Sequence, residues 1–353
     1  MATSYLVEVF FIKSRKRTNY LVGTKQSEYP YCNGHRDTFV FSKKGFTLSA
    51  KRSSAYADGT ILNNEKNGLY LQIIKGLLVY YALSDDFPIL KSITIKRERA
   101  RYGAFIYTET DSFQQPLKNG IPKKYYLPTS FADEILQETD KAKALRIALT
   151  YWLKAMNSNN LYFRFDRLWK AYDRLLLYEG NTTKESVGIP AIKQIISANA
   201  ICFPLSVSIT NMYTMPELRS FQWITLLASK TIGYTKIDEL VRRLTEYTDS
   251  RAVLLFQGIS NSRKIQQTLI NHGRLPLVNT HFRTNATTNN DIDIVLLLSL
   301  SYTYFIRCRL FHGEVIDSTF KLKSTREDYE LEKMTVLLET VIFELLSNSS
   351  ILR

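Results

Sequence analysis

The feature that most limits the fold of this 353-residue chain is a change of pattern at residues 114–128, QQPLKNGIPKKYYLP, where three prolines and a glycine crowd together. Before this stretch, short apolar runs alternate with turn residues. After it, apolar residues recur at helical spacing. We therefore predict an α+β protein of two domains, a β-rich domain over residues 1–125 and an all-α helical bundle over residues 129–353, with the stretch as their linker.

The runs before the linker are rich in Val, Ile, Tyr, Phe and Thr, which favours strands. They include YLVEVFFI at 5–12, DTFVFSKKGFTLSA at 37–50 and the run over residues 89–110, all bounded by turn residues. Residues 68–83, GLYLQIIKGLLVYYAL, are grouped with these strands, and a helix is the alternative for that run.

After the linker the pattern predicts helices. The first begins at Thr129 or Ser130 as candidate N-caps, and a second runs from Leu161 to a stop at Gly180. Trp152 and Trp169 fall on the apolar faces of these two helices and are expected in the core. Further helices are predicted over residues 191–200, 217–229, 236–247, 263–271 and the amphipathic tail at 325–349.

The positive charge is concentrated in the first domain. Residues 1–128 carry 20 Lys and Arg against 10 Asp and Glu, a net charge of +10, whereas the whole chain carries +14. A basic field attracts polyanions such as nucleic acid, although a merely solvated basic surface has the same composition. The first domain is therefore a candidate for binding nucleic acid or a partner protein.

The three cysteines, Cys32, Cys202 and Cys308, lie far apart without CxxC spacing, which argues against a disulfide framework and a cysteine zinc site. The N-terminal charges follow the first apolar run, the reverse of a secretory signal. The longest apolar stretch, Ile292 to Ile306, is interrupted by polar residues and is shorter than the roughly 20 residues of a membrane span. We expect a cytoplasmic protein with no membrane contact.

The sequence lacks the motifs of several common kinds of active site. The four histidines form no HExxH or Cys/His set, so we expect no metal. No GxGxxG or GxxxxGK[ST] loop is present to hold a nucleotide phosphate, and no GxSxG turn presents a serine nucleophile. We expect no cofactor.

The segment YFIRCRLFHGE, residues 304–314, places Arg307 and His312 five positions apart directly after the long apolar run. Arginine holds phosphate through a planar fork, and histidine transfers protons near neutral pH. Together they are sufficient for metal-free RNA cleavage, in which the ribose 2′-hydroxyl attacks its own phosphorus. The alternative without a catalytic role is a helix C-terminus whose basic residues interact with the helix dipole, with Gly313 ending the helix.

Two segments in order resemble the HEPN superfamily (higher eukaryotes and prokaryotes nucleotide-binding domain). YFIRCRLFHGE is similar to the family's signature of an Arg, a polar residue and a His four to six positions on. The stretch ALRIALTYWLKAMNSNNLYFRFDRLWKAYDRLLLY is similar to its opening helix pair, with an RFxxLWxA pattern. The resemblance covers roughly residues 141–348, and residues 181–290 match poorly.

The resemblance implies an all-α bundle, frequently a homodimer, and for active members a metal-independent endoribonuclease of prokaryotic toxin or antiphage systems. It makes Arg307 and His312 the catalytic pair. Cys308 stands where Asn is commonest, a position that contacts substrate or the partner helix. Arg309 is a further candidate for a phosphate contact, with a solvated cation as the alternative, and Lys321 and Lys323 are weaker ones.

The leading hypothesis is therefore a homodimeric, metal-independent endoribonuclease with RNA as substrate, acting in bacterial antiphage defence or as a toxin, with an antitoxin or a phage-derived partner. The alternative is a non-catalytic dimerisation module whose basic β domain binds nucleic acid or a protein. Cys308 favours this alternative, whereas intact Arg307 and His312 favour the enzyme.

Overall fold

The computed structural model describes residues 3–12, 22–32, 34–56, 59–99, 105–110, 115–117, 123–230, 236–312 and 322–353. It is an α+β fold, as predicted, in which an N-terminal antiparallel sheet precedes a mostly helical region. The chain forms two compact units, residues 1–178 with 346–353, and residues 179–345. The secondary structure changes near the predicted linker, whereas the compact units divide after Tyr178, so the sheet and the first long helices share one unit.

The sheet has six antiparallel strands in the order β2-β3-β4-β1-β5-β6. Inward and outward residues alternate along the strands, and the inward positions carry residues such as Val7, Val9, Phe39 and Leu48. The strands are β1 (Thr3–Phe11), β2 (Gly23–Glu28), β3 (Arg36–Ser42), β4 (Gly45–Arg52), β5 (Leu90–Arg99) and β6 (Phe105–Thr110).

Residues 68–83, grouped with the strands above, form helix α1 (Gly68–Leu83), so that grouping was wrong and the alternative is confirmed. Asn67 caps the helix, its side-chain oxygen accepting the N–H of Leu69 at 2.8 Å. Almost every side chain of α1 is buried, which explains why its apolar run shows no polar face. Gly76 allows the close approach to the sheet, because a Cβ there would lie 2.5 Å from the Phe46 ring.

A buried lysine joins the sheet to the helices of the first unit. Lys75 of α1 is 3% exposed, and its ammonium lies 2.6 Å from a carboxylate oxygen of Glu138 and donates to the Glu28 carbonyl at 2.6 Å. Burial lowers the pKa of Lys75, and Glu138 opposes that shift. Loss of Glu138 would leave a buried charge without its counter-ion, so the pair constrains how this unit packs.

The predicted helices after the linker are present with changed boundaries, and residues 204–211, 250–260 and 275–284 form further helices that were not predicted. In place of the predicted first helix the structure has two helices, α2 (Ser130–Ile135) and α3 (Asp140–Met156). The side chain of Thr139 caps α3, whereas the side chain of Thr129 makes no capping hydrogen bond. Trp152 and Trp169 are buried, as expected. The others are α4 (Leu161–Glu179), α5 (Glu185–Ala198), α6 (Pro204–Asn211), α7 (Met215–Ser220), α8 (Trp223–Lys230), α9 (Ile237–Leu244), α10 (Ser250–Ser260), α11 (Arg263–Asn271), α12 (Leu275–Thr284), α13 (Asp291–Leu296), α14 (Thr303–Phe311) and α15 (Arg326–Ser347).

A π-helical segment, Leu297–Tyr302, joins α13 to α14, so that residues 291–311 form one continuous helix. The Thr303 hydroxyl donates to the Leu298 carbonyl, five residues back, at 2.8 Å, which fits the wider π turn. Among the described residues this is the one helix whose length and mean hydropathy, 1.5, would allow a membrane span. Since 61% of that apolar window is buried inside the protein, the helix has the character of a core helix.

Candidate functional site

The candidate site lies at the C-terminal end of this long helix, in the second compact unit. The buried part of the helix is fixed by Tyr302, whose hydroxyl donates to Glu330 at 2.6 Å and accepts the backbone N–H of Gln222 at 2.8 Å. From Arg307 onward every described side chain of this helix is at least partly exposed, and His312 is the C-cap. The predicted residues therefore occupy the last turns of a helix that is held in place by its core half.

Arg307 is partly exposed and already has an anionic neighbour. Its guanidinium Nη2 lies 3.1 Å from Oε1 of Glu185, the first residue of α5, and the two side chains are 24% and 21% exposed. The guanidinium also lies over the Phe311 ring at 4.9 Å from the centroid. A carboxylate therefore occupies the position in which a phosphate oxygen would meet Arg307.

Arg309 is held by different partners. It donates to the amide oxygen of Gln222 at 2.7 Å and to Glu327 at 2.8 Å. Residues two apart on a helix point about 200° apart around its axis, and these partners belong to α15 and the segment before α8. The structure thus places Arg307 and Arg309 toward different neighbours, and the role of Arg309 in substrate binding stays a prediction.

His312 is exposed, and its imidazole makes no hydrogen bond or ion pair with the described residues. Its backbone N–H donates to the Cys308 carbonyl at 3.0 Å, which fixes the residue at the helix end. Gly313 and Lys321 lie outside the described residues, and Lys323 is exposed.

Cys308 is half-buried beside Tyr304, one turn earlier on α14. Burial raises the pKa of Tyr304 to about 12, and the negative charges of Cys308 and Glu185 and the hydrogen bond to Cys308 add to that shift. The thiol is therefore engaged with a neutral phenol of its own helix, where the resemblance would place an amide.

No three His, Cys, Asp or Glu side chains of the described residues come together in a metal-binding group. The chemistry that the helix end itself offers is a guanidinium for an anion and an imidazole for proton transfer.

A second polar cluster, in the sheet, was missed by the sequence analysis. Arg52 donates to both carboxylate oxygens of Asp37, at 2.7 and 2.6 Å, and the two side chains are 5% and 0% exposed. His35 Nε2 lies 3.6 Å from the same carboxylate, and the Arg52 guanidinium stacks 4.0 Å from the Tyr29 ring centroid. Burial lowers the pKa of Arg52, but the hydrogen bonds and charge of Asp37, together with the nearby Tyr56 and Tyr29, raise it overall.

A signal for this cluster was present in the strand alternation. Asp37 shares its face of β3 with Phe39 and Phe41, and Arg52 shares its face of β4 with Leu48 and Ala50. Charged residues in phase with the core are rare unless they pair with one another.

The chain was compared with family models, with curated proteins and with solved structures, and none of them matches it.

Proposed function

We propose that this protein is a metal-independent endoribonuclease of the HEPN type, with Arg307 and His312 as the catalytic residues. The observation that carries the proposal is the exposed imidazole of His312, which has no hydrogen-bond or ion-pair partner among the described residues and lies five residues after a partly exposed arginine on a helix anchored in the core. A group that exchanges protons with a substrate needs this access, and a group that binds phosphate needs a fixed position.

In the proposed reaction His312 accepts the proton of the ribose 2′-hydroxyl, and the 2′-oxygen attacks the adjacent phosphorus. Arg307 stabilises the negative charge on the phosphorane oxygens. The bond from phosphorus to the 5′-oxygen then breaks, and that oxygen leaves with a proton from an imidazolium. The products are a 2′,3′-cyclic phosphate and a free 5′-hydroxyl.

One helix end supplies one catalytic arginine and one histidine, whereas the reaction needs a base, an acid and charge stabilisation. Two copies related by a twofold axis would supply two of each within one cleft. We therefore expect a homodimer that forms through the helical region. We further propose that its substrate is RNA in the cytoplasm and that an antitoxin or a phage-derived trigger regulates it.

A second candidate is a non-catalytic module that dimerises through the helices and binds nucleic acid or a protein through the basic β-rich part. The observation that favours it is that Glu185 and Glu327 already pair with Arg307 and Arg309. In this alternative the arginines serve packing, and His312 is a solvated helix end.

RNA cleavage in the presence of EDTA separates the two candidates. Single-stranded RNA should be cut to 2′,3′-cyclic phosphate ends, and RNA with 2′-O-methyl groups and DNA should resist cleavage. His312→Ala should slow cleavage about 10²–10⁴-fold, the usual contribution of general acid–base catalysis. His272→Ala, on an exposed histidine of the same unit, is the matched control and should leave the rate unchanged. If wild type and His312→Ala cleave RNA equally slowly, the endoribonuclease proposal is wrong and the non-catalytic binding module is the better explanation.

A further inference from the structure

A cavity of about 410 Å³ lies in the first compact unit, bounded by α1, α3, α4 and residues 116–117. Most of its wall is apolar and comes from Ile74, Leu77, Leu78, Leu117 and Leu153. Cavities that bind small molecules commonly measure roughly 300–1,000 Å³ and have mostly apolar walls with a few polar groups. This cavity fits that description.

Two of the three hydroxyl-bearing side chains of the wall have their hydroxyls engaged, and the third is that of Tyr151. Tyr81 donates to the Pro88 carbonyl at 3.3 Å, and Thr150 donates to the Ile147 carbonyl of its own helix at 2.7 Å. Neither hydroxyl is then a free donor for a ligand. A ligand body in contact with them would gain from being apolar.

The charged groups of the wall are both cations. Lys154 is exposed and donates to the Pro116 carbonyl at 3.3 Å, which leaves two of its N–H bonds available. Arg167 lies over the Phe163 ring at 4.7 Å and near the Tyr151 ring at 5.8 Å. None of the described wall residues is acidic.

The charge of Arg167 is only partly balanced. Its Nε lies 3.7 Å from Asp166, beyond hydrogen-bond distance, and is buried without a hydrogen-bond partner. The same carboxylate of Asp166 accepts a hydrogen bond from Lys170 at 3.0 Å. One carboxylate thus serves two cations, and the wall keeps an excess of positive charge.

We propose that this cavity binds a medium-chain amphipathic carboxylate, a molecule of the fatty-acid class. Its hydrocarbon chain lies among the leucines and isoleucine of the wall, and its carboxylate meets Lys154 and Arg167. The two observations that specify this class are the mostly apolar wall and its two cations, with no acidic residue among the described wall residues. The site is distinct from the helix end that carries Arg307 and His312.

Isothermal titration of the full-length protein with sodium decanoate, below its micelle concentration, tests the proposal. Affinity should rise from hexanoate to octanoate to decanoate by about fourfold per added methylene, as burial of each CH₂ predicts. Decanol, which lacks the charge, should bind about tenfold or more weakly than decanoate, because it lacks the charge-assisted hydrogen bonds.

Three variants locate the binding. Arg167→Gln and Lys154→Gln should each weaken decanoate about tenfold and leave decanol unchanged. Ile74→Trp, at a partly exposed wall position, fills the cavity and should abolish binding of both ligands. Lys143→Gln, on the exposed face of the same helix as Lys154, is the matched control and should bind as wild type does. Circular dichroism of each variant shows whether it is folded.

An affinity that does not change with chain length, or Ile74→Trp binding decanoate as tightly as wild type, would overturn the proposal, because either result places the ligand outside the cavity. Equal affinity for decanoate and decanol would also overturn it, since the cations would then have no part in recognition.

Discussion

The arginine–carboxylate pair of the sheet and the pair at the end of the long helix differ in burial and in geometry. Arg52 and Asp37 in the sheet are 5% and 0% exposed and make two hydrogen bonds, whereas Arg307 and Glu185 are 24% and 21% exposed, with one contact of 3.1 Å. Separation of a buried pair leaves an uncompensated charge without water, but separation of a partly exposed pair is compensated by solvent. The first pair is therefore a structural element, and the second can exchange its carboxylate for a phosphate at low cost.

The largest expected effect is on stability at the buried pair. Asp37→Ala should lower the free energy of unfolding by about 3–5 kcal/mol, because the Arg52 guanidinium would remain buried and unpaired. Glu185→Ala should lower it by about 1 kcal/mol or less. Urea denaturation of both variants measures the difference. The double substitution Asp37→Leu with Arg52→Met should recover much of the loss, and failure to recover it would mean that the pair has a further role.

Next is the effect of the exposed pair on activity. Arg307→Ala should slow RNA cleavage about 10²–10³-fold, the loss expected for one donor that stabilises a developing oxyanion, with little change in the urea midpoint. Arg307→Lys should restore only part of the rate, since an ammonium lacks the planar fork. Single-turnover cleavage assays measure both. Unchanged cleavage by Arg307→Ala would place this arginine with Arg52, among the structural residues.

A smaller effect is expected at the carboxylate of the exposed pair. Glu185→Gln should strengthen RNA binding by Arg307 about two- to fivefold, because it removes a negative charge that competes with phosphate. An ion pair exposed at the surface contributes up to about 1 kcal/mol. Filter binding at fixed salt measures the change. Glu327→Gln, beside Arg309, is the matched control. If Glu185→Gln instead weakens binding, Glu185 positions the guanidinium rather than competing for it.

Cys308→Asn should keep the cleavage rate or raise it by a small factor. The resemblance places an amide at this position, and an amide donates and accepts hydrogen bonds better than a thiol does. The initial rate of RNA cleavage by this variant tests the expectation. Cys308→Ala is the control that removes the thiol without adding an amide. A rate well below that of the Ala variant would show that the larger side chain disturbs α14.

The smallest effect is a spectroscopic one on α14. Because the folded pKa of Tyr304, about 12, lies above its ordinary value of 10, its contribution to stability is present below pH 10 and is lost as the pH rises toward 12. Cys308→Asn removes one negative neighbour and should lower this pKa. Near-ultraviolet titration of each protein against its Tyr304→Phe variant measures the shift. An unchanged pKa would leave burial and the charge of Glu185 as the causes of the raised value.

The sequence by itself determined the change from a β-rich N-terminal part to a mostly helical remainder, the buried tryptophans of α3 and α4, and the long apolar run that leads to Arg307 and His312. These features depend on the spacing of apolar residues, which reflects local geometry and the need to bury one face. Residues 68–83 were assigned wrongly, because a helix buried on nearly all sides has no polar face and its sequence therefore lacks the helical spacing of apolar and polar residues.

Only the tertiary structure decided which charges meet. Glu185 and Arg307 are 122 positions apart, and Gln222 and Glu327 reach Arg309 from two other segments. Asp37 contacts Arg52 because β3 and β4 are adjacent in the sheet. The cavity beside Arg167 exists because α1, α3 and α4 do not fill the space between them. Such contacts depend on how distant elements pack, and packing is a property of the whole compact unit rather than of any local pattern.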